Sequence, residues 1–338
     1  MFDFIPTEYF LLAFGFILLI KGGDWFVDAA CGIAKRFKLP ELLIGATVVS
    51  IGTTLPEVMT SAMGAISGTG AIAYGNAIGS IICNASLIAA ITIAVKPGKA
   101  NKKALVFPVC FFFAVAAFYA FNAYVFRGFE RWAGIALIVA FVVYMIINVI
   151  NMKKNPEEDE EISDSPELKE SAESEAKGNF FKDILFLVIG AAVIAVGAYL
   201  LVESATDIAH QLGVPESVIG LTVVAIGTSL PELVTAITSL VKGHGSLSLG
   251  NIIGANVFNL VLVSGVAITI NPFSIPMNSM LLGQNASLIL DLPVVFLVMA
   301  ILTLPTIKKS ELKRWQGISL LAIYIAFMAI QFIFVKSV

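Results

Sequence analysis

Long apolar runs separated by short polar stretches dominate the pattern of this 338-residue chain. A helix needs about 20 mostly apolar residues to cross a bilayer. Ten such runs cover residues 8–33, 40–66, 72–95, 104–126, 132–152, 183–209, 215–241, 247–270, 280–304 and 315–335. The first run is longer than the apolar region of a signal peptide, so we expect it to be retained. The pattern predicts an all-α integral membrane protein with ten transmembrane helices.

The composition supports a membrane protein and excludes a soluble enzyme. Apolar residues make up 58% of the chain and charged residues 13%, whereas about a quarter of an ordinary soluble domain is charged. Ten of the 24 acidic residues lie between Glu157 and Glu175, in a stretch without aromatic residues. Such a stretch cannot bury enough surface to fold alone, so residues 153–182 are expected to form a disordered acidic linker. No basic tract could neutralise a run of phosphates, so nucleic acid is not an expected partner.

The distribution of Lys and Arg predicts the orientation of the chain in the membrane. Loops after the odd-numbered runs hold 17 of the 21 basic residues, whereas the opposite side holds Arg127, Arg131 and Lys336. Basic loops are enriched in the cytoplasm. We therefore expect a multi-pass protein of the cell (plasma) membrane with both termini outside and the linker in the cytoplasm.

An internal repeat relates the two halves of the chain at a constant offset of 175 residues. Between Pro40 and Thr60, 14 of 21 positions are identical to their counterparts, and GNAIGSIICN from Gly75 matches GNIIGANVFN from Gly250. Each half holds five predicted helices, an odd number, so the second copy must cross the membrane in the opposite sense. We expect two inverted five-helix repeats, residues 1–152 and 183–338, an arrangement typical of secondary transporters.

Each repeat carries a cluster of glycine, hydroxyl residues, proline and glutamate in the middle of its second helix. The clusters are GTTLPE at residues 52–57 and GTSLPE at residues 227–232. Proline has no N–H group, so the carbonyl group four residues earlier loses its partner, and both helices are expected to be broken here. A glutamate at this depth costs about 3 kcal/mol. The matched pair Glu57 and Glu232 therefore predicts a functional site.

Oxygen ligands around the glutamates predict a site for a hard cation. Carboxylates, hydroxyl groups and carbonyls suit calcium or sodium and offer nothing to soft metals. His210 and His244 fall near helix ends, so an imidazole zinc site is not expected. The third helix of each repeat adds polar and small residues at a spacing of four: Asn76, Ser80 and Asn84, matched by Asn251, Ala255 and Asn259.

Acidic residues outside the clusters have weaker interpretations. Asp24 and Asp28 in the first helix are expected to be solvated or paired with lysine. Asp291 has Ala116 as its counterpart in the first repeat, so its role stays open.

The two clusters, each followed by a GN..G...N stretch, resemble the two alpha repeats of the calcium/cation antiporter superfamily. Within it, the sequence is most similar to prokaryotic (archaeal-type) sodium/calcium exchangers, with alpha motifs at about residues 45–88 and 220–263. The resemblance implies an antiporter, not an enzyme, in which sodium entry drives calcium extrusion by alternating access. It implies no cofactor; the expected partners are the transported calcium and sodium ions and the lipid bilayer, with no obligate protein partner evident.

The resemblance also implies a set of ligands for four adjacent cation sites. Glu57 and Glu232 would be the shared anionic ligands, and Asn84 and Asn259 would complete the central position. The remaining oxygen ligands would be Thr53 and Thr228 at the calcium site, Ser50, Thr54 and Ser80 at an inner sodium site, and Ala225 and Ser229 at an outer one, with Ser50 and Ala225 acting through their carbonyl groups.

Two positions depart from the family pattern. Ala255 stands where close archaeal exchangers have serine, which removes a hydroxyl group from the outer sodium site. Asn259 stands where some prokaryotic members have aspartate, which removes a titratable group but keeps a carbonyl oxygen.

Three alternatives stay open at this point. The first is calcium/proton exchange, in which protonation of Glu57 and Glu232 releases calcium. The second is a cation channel with the same ligands, although inverted repeats with broken helices fit alternating access better. The third, an intramembrane hydrolase, lacks a histidine ligand or a nucleophile near the glutamates.

Overall fold

The computed structural model describes residues 7–37, 39–95, 97–154, 180–211, 225–276 and 279–337. Its helices are α1 (Thr7–Arg36), α2 (Glu41–Ile66), α3 (Gly70–Ala94), α4 (Lys102–Phe126), α5 (Arg131–Lys154), α6 (Phe180–Gln211), α7 (Leu230–Val241), α8 (Gly245–Ile270), α9 (Ser287–Lys309) and α10 (Arg314–Ile333). In this part of the chain, nine helices are long and apolar enough to span a membrane. The shorter α7 follows a helical turn at Ala225–Thr228. The prediction of an all-α multi-pass membrane protein is confirmed.

The connections between helices gather on two opposite faces of the bundle. On one of them, which we call the linker face, the end of α1 meets the start of α6 through an ion pair of 3.2 Å between Arg36 and Asp183. The segments after α3 and α9 also meet here, because the N–H group of Leu312 donates to the carbonyl group of Gly98 at 2.8 Å.

The opposite face, which we call the termini face, carries five short strands. They are β1 (Gly128–Phe129), β2 (Phe273–Ser274), β3 (Ser279–Leu281), β4 (Gln284–Asn285) and β5 (Lys336–Ser337). Antiparallel pairing joins β1 to β2, with Phe129 opposite Phe273, and joins β3 to both β4 and β5. These pairs link the loops after α4 and α8 with the end of the chain after α10.

The start of α9 differs from the sequence prediction. The ninth run was expected to begin at residue 280, but α9 begins at Ser287. The preceding residues form the β3–β4 hairpin, whose two-residue turn places Leu282 and Gly283 at positive φ, as tight hairpin turns require. Residues 212–224, in the seventh run, and residues 155–179, in the acidic linker, lie outside the described residues.

The centre of the bundle is formed by α3 and α8. In the most apolar stretch of α8, 83% of the residues are buried, against 17% in α10. The exposed isoleucines of α10, such as Ile318 and Ile325, face the surroundings that lipid chains occupy in a membrane. Because a central helix has protein on every side, its polar residues meet other protein groups and not lipid.

Helices α1 and α6 form a closely packed pair beside this centre. A Cβ atom on Gly15 would lie 2.9 Å from the carbonyl oxygen of Gly197, and one on Gly197 would lie 3.0 Å from that of Gly15. Small residues of this kind allow two membrane helices to approach closely. The pair also contacts α7, where Lys242 Nζ lies 2.7 Å from Asp28 Oδ1 and 3.3 Å from Asp24 Oδ1. Pairing of these two aspartates with lysine was one of the two outcomes expected.

Candidate functional site

The two glutamates meet in the middle of the bundle. Glu57 lies half-way along α2 and Glu232 lies in the first turn of α7, and both side chains are completely buried. Their carboxyl groups are near enough to repel each other electrostatically. Both carboxyl oxygens of Glu57 and Oε2 of Glu232 lack a hydrogen-bond partner within the described residues. Two buried carboxyl groups in such surroundings require protons or a positive counter-charge.

Only one of the two proline clusters interrupts its helix. Ser229, with φ −92° and ψ 8°, separates the turn Ala225–Thr228 from α7. Pro231 then falls in the first turn of α7, where its missing N–H group costs no hydrogen bond. In α2, by contrast, the α-helix continues from Ser50 to Ile66 through Pro56. The expectation of a broken helix is therefore wrong for α2.

Contacts with α3 account for the continuity of α2. The side-chain amide of Asn76 donates to the carbonyl oxygen of Glu57 at 3.0 Å and to Ser61 Oγ at 2.8 Å. These bonds hold the helix directly after Pro56. Packing of this kind outweighs the loss of one backbone hydrogen bond, since tertiary context overrides local propensity. Asn76 therefore anchors α2 to α3.

Hydroxyl groups of α2 lie beside the glutamates and beside α8. Thr54 Oγ1 donates to Glu232 Oε1 at 3.4 Å, and Thr53 Oγ1 donates to Asn251 Oδ1 at 3.3 Å. Ser50 Oγ donates to the carbonyl oxygen of Gly45 at 2.8 Å and lies 3.2 Å from that of Asn251. All three hydroxyl residues are buried. The structure thus places Thr54 against Glu232 and joins Ser50 and Thr53 to Asn251 of α8.

The two predicted asparagine ligands lie in matched irregularities of the central helices. Asn84 falls in a π-helical stretch of α3 at Cys83–Ile88, and Asn259 begins one in α8 at Asn259–Val263. Both side chains are completely buried, and neither their oxygen nor their nitrogen atoms have a hydrogen-bond partner in the described part of the chain. Widened turns are frequent at functional sites, and buried polar atoms without partners call for a ligand or water.

The remaining predicted ligands are distributed around this centre. Ser80 and Thr228 line a cavity that leads to it, and Ser229 lies beside the thiol group of Cys83. Ala225 begins the helical turn before α7.

Sequence reasoning did not single out Asn256, a buried polar residue of the central helix α8. It is completely buried, its amide donates to Met299 Sδ at 3.2 Å, and Oδ1 lacks a partner among the described residues. The signal was a second asparagine inside the GANVFN stretch, at a position where the first repeat has Ile81. Because that position breaks the spacing of four, the pattern did not point to it.

A cavity of about 540 Å³ extends from the termini face towards the glutamates. Its wall includes Ile72 and Pro276 near that face, and Ser80 and Cys83 deeper in the bundle. Asp291 also lines the cavity, where its Oδ1 accepts a hydrogen bond of 2.7 Å from Gln331 Nε2. Cations entering from the termini face would therefore pass a third carboxyl group.

The glycines of α3 face this cavity, whereas their counterparts in α8 are packed against protein. A Cβ atom on Gly75 or Gly79 would meet no atom of the described residues within 4 Å. A Cβ atom on Gly250 or Gly254, 175 residues later, would overlap the backbone of α2. The termini face thus has a cavity where the linker face has direct contact between α2 and α8.

Taken together, the site offers carboxylate, hydroxyl, amide and carbonyl oxygens without a bound positive side chain among the described residues. Oxygen atoms of these kinds are the ligands that calcium and sodium prefer. The sequence profile of the family described as sodium/calcium exchanger protein matches residues 7–150 and 182–333. The chain belongs to this family. The match covers both halves and omits the acidic linker, which agrees with the resemblance seen in the sequence.

Individual relatives of the family resemble the chain over nearly its whole length. The sodium/calcium exchanger MaX1 of Methanosarcina acetivorans is 33% identical over 97% of this chain and 99% of the relative. The uncharacterized membrane protein MJ0091 of Methanocaldococcus jannaschii is 34% identical over 96% and 97%. A solved structure of the sodium-calcium exchanger NCX_Mj, soaked with Na⁺ and Ca²⁺, matches with a TM-score of 0.78 and 30% identity over 96% of this chain and 99% of that chain.

Proposed function

We propose that this chain is a secondary antiporter that exchanges sodium for calcium by alternating access, with sodium entry driving calcium extrusion. One observation carries the proposal: the completely buried pair Glu57 and Glu232, with carboxyl oxygens that lack partners among the described residues, in a member of the sodium/calcium exchanger family. The function is transport, and we assign the chain no chemical reaction and no cofactor.

We infer the ligand roles from the resemblance to the exchanger family. Glu57 and Glu232 hold the cations in common, and Thr53 and Thr228 add oxygen atoms for calcium. Sodium ions bind at the remaining oxygen ligands, which are Ser50, Thr54 and Ser80 on one side and Ala225 and Ser229 on the other, while Asn84 and Asn259 occupy the centre. Support comes from the burial of Ser50, Thr54, Asn84 and Asn259 and from the hydrogen bond between Thr54 and Glu232.

Competition for the two carboxylates explains exchange. One calcium ion neutralises both charges, and so do sodium ions bound at the same oxygen atoms, but the pair does not hold both loads together. An empty, doubly charged pair would have to be enclosed without counter-charge, which costs several kcal/mol for each ion. The protein therefore crosses between its two open states when loaded, and movement of one ion type requires return of the other.

The proposed orientation puts both termini outside the cell and residues 153–182 in the cytoplasm. The termini face is then extracellular, and the cavity beside Gly75 and Gly79 is an outward access route. Two inverted repeats, residues 1–152 and 183–338, supply one glutamate each. The repeat is supported by the starts of two equivalent helices: α3 begins at Gly70 and α8 begins at Gly245, 175 residues later.

The test is uptake of calcium-45 into proteoliposomes. Vesicles loaded with sodium are compared with vesicles loaded with choline and with vesicles under an imposed pH gradient. We expect uptake only with internal sodium, and we expect Glu232→Gln to abolish it. Glu311→Gln, at an exposed glutamate on the linker face, is the control that should leave uptake unchanged. Uptake driven by the pH gradient without sodium would instead establish proton coupling.

A further inference from the structure

Three metal-binding side chains converge on the linker face, away from the glutamate pair. They are Cys31 from α1, Glu41 from the start of α2 and His244 from the turn between α7 and α8. Their ligand atoms all lie within 4.8 Å of one another. His244 Nδ1 is 2.8 Å from Glu41 Oε1. Sequence reasoning did not expect an imidazole site because the histidines fall near helix ends, but here three helix ends meet.

The chemistry of this group differs from that of the transport site. A thiolate, an imidazole and a carboxylate suit a borderline-soft divalent metal such as zinc, whereas calcium and sodium prefer oxygen ligands alone. In a zinc site, ligand atoms lie roughly 3 to 4 Å apart around the metal, so small side-chain rotations would close the present arrangement. Three protein ligands leave a fourth position for water.

Burial favours binding at this place. Cys31 is 2% exposed, and the side chains of His244 and Glu41 are 15% and 24% exposed. The group is therefore shielded from bulk water at Cys31, whereas a metal ion in solution could reach it at His244 and Glu41. On binding, the Cys31 thiol would release its proton to solvent. A proton on His244 Nδ1 would move to Nε2 or to solvent, which leaves Nδ1 and the Glu41 carboxylate as ligands for the metal.

The three ligands come from three separate elements at the closed side of the bundle. The backbone of Leu42, next to Glu41, contacts α8 at Gly250. The carbonyl oxygen of His244 accepts a hydrogen bond of 3.2 Å from the N–H group of Ser248 at the start of the same helix. A metal bound here would join α1, α2 and the α7–α8 turn across this contact.

We propose that Cys31, Glu41 and His244 form a regulatory zinc site on the linker face, and that bound metal holds this face closed and slows exchange. The binding part is independent of the transport activity, whereas the inhibitory part rests on the proposed function. The alternative is an ordinary His244–Glu41 ion pair with a thiol nearby, and the experiment below separates the two.

Binding is tested with cobalt(II) as a spectroscopic substitute for zinc, added to the purified full-length protein in detergent. We expect one cobalt per chain, visible bands of a tetrahedral ion and a near-ultraviolet thiolate-to-cobalt band, all displaced by zinc. Cys31→Ser should remove the thiolate band, and His244→Gln should weaken binding at least tenfold. Cys110→Ser, at an exposed cysteine, should bind like the wild type. A wild-type spectrum that persists in Cys31→Ser would overturn the site.

Regulation is tested by adding zinc to the linker face during sodium-dependent calcium uptake. We expect at least a fivefold reduction in the wild type and in Cys110→Ser, and none in Cys31→Ser, which differs from the native side chain by one atom. Cobalt binding with uptake that zinc leaves unchanged would overturn the regulatory role. If the protein does not exchange sodium for calcium at all, the proposed function fails, while the cobalt spectrum still decides the metal site.

Discussion

Ala255 lies completely buried in α8, at the position that Ser80 occupies in α3. Ser80 presents a hydroxyl group to the cavity wall, whereas a methyl group at residue 255 offers no ligand atom. At this pair of positions, the second half of the site lacks a hydroxyl oxygen that the first half has. Because sodium is bound by oxygen ligands, we place the control of sodium affinity at this residue.

Restoring the hydroxyl group should strengthen sodium binding. We expect Ala255→Ser to lower, by about fivefold, the internal sodium concentration that gives half-maximal calcium-45 uptake. A fivefold change corresponds to roughly 1 kcal/mol, the contribution of one added polar contact. Ala267→Ser is the matched control, because Ala267 is an equally buried alanine of the same helix that packs with Ala65 and Ala73. An equal shift in both variants would contradict the assignment.

Asp291 is the residue whose role the sequence left open. Its place in the cavity wall, paired with Gln331, predicts that it attracts cations to the entrance. We expect Asp291→Asn to reduce uptake several-fold at limiting calcium and low ionic strength, and less in high salt, since screening weakens electrostatic attraction. Initial rates measured at two salt concentrations test this, and a loss independent of salt would exclude an attractive role.

At the scale of elements, equivalent helices use equivalent glycines for different purposes. Gly250 and Gly254 allow α8 to touch α2, whereas Gly75 and Gly79 of α3 border the cavity. The same residue type therefore closes one side of the site and leaves the other side open. Only the neighbouring element decides which of the two occurs.

This difference predicts opposite tolerance to the same substitution. We expect Gly254→Ala to destabilise the protein by about 1 to 3 kcal/mol, because its methyl group would press on Ser50 and on the backbone of Ala46, as overpacking does. Gly79→Ala should fold like the wild type, since a Cβ atom there meets no atom of the described residues within 4 Å. Thermal unfolding in detergent measures both, and similar losses would show that the α2–α8 contact is not as tight as described.

At the scale of the whole molecule, the described residues surround the centre unequally on its two faces. The cavity lies towards the termini face, and the α2–α8 contact lies towards the linker face. An alternating-access transporter in this state exchanges ions with the solution on the same side of the membrane as its termini face. The orientation and the access route are therefore tested together by labelling from one side.

Labelling of single cysteines checks the access route. In a background without the native cysteines (Cys31→Ser, Cys83→Ala and Cys110→Ser), we expect Gly75→Cys to react with a membrane-impermeant maleimide added outside intact cells. Ala77→Cys is the control in the same helix, because Ala77 is completely buried and should stay unlabelled. Reaction of Gly75→Cys only in inside-out vesicles would reverse the proposed orientation, and reaction at both positions would contradict the described packing of α3.

Much of the architecture could be predicted because it depends on local patterns. Apolar length alone locates membrane helices, since a bilayer accepts only segments that satisfy their own backbone hydrogen bonds. The repeat likewise identified Glu57 and Glu232 as a pair, because two carboxylates at matched depth are too costly for structure alone. The β3–β4 hairpin was missed because an apolar stretch at a bilayer edge has the same composition whether it is helix or hairpin.

Features that depend on contacts between distant residues could not be predicted from the sequence pattern. Pro56 and Pro231 have the same local sequence, yet α2 continues and α7 begins anew, because Asn76 holds α2 from a neighbouring helix. His244 looked isolated near a helix end and lies beside Glu41, 203 residues away. Apolar periodicity and repeated motifs thus determine which helices form and which residues carry charge. The packing of helices against one another determines which side is open and which polar atoms meet, because those contacts join residues that no local pattern relates.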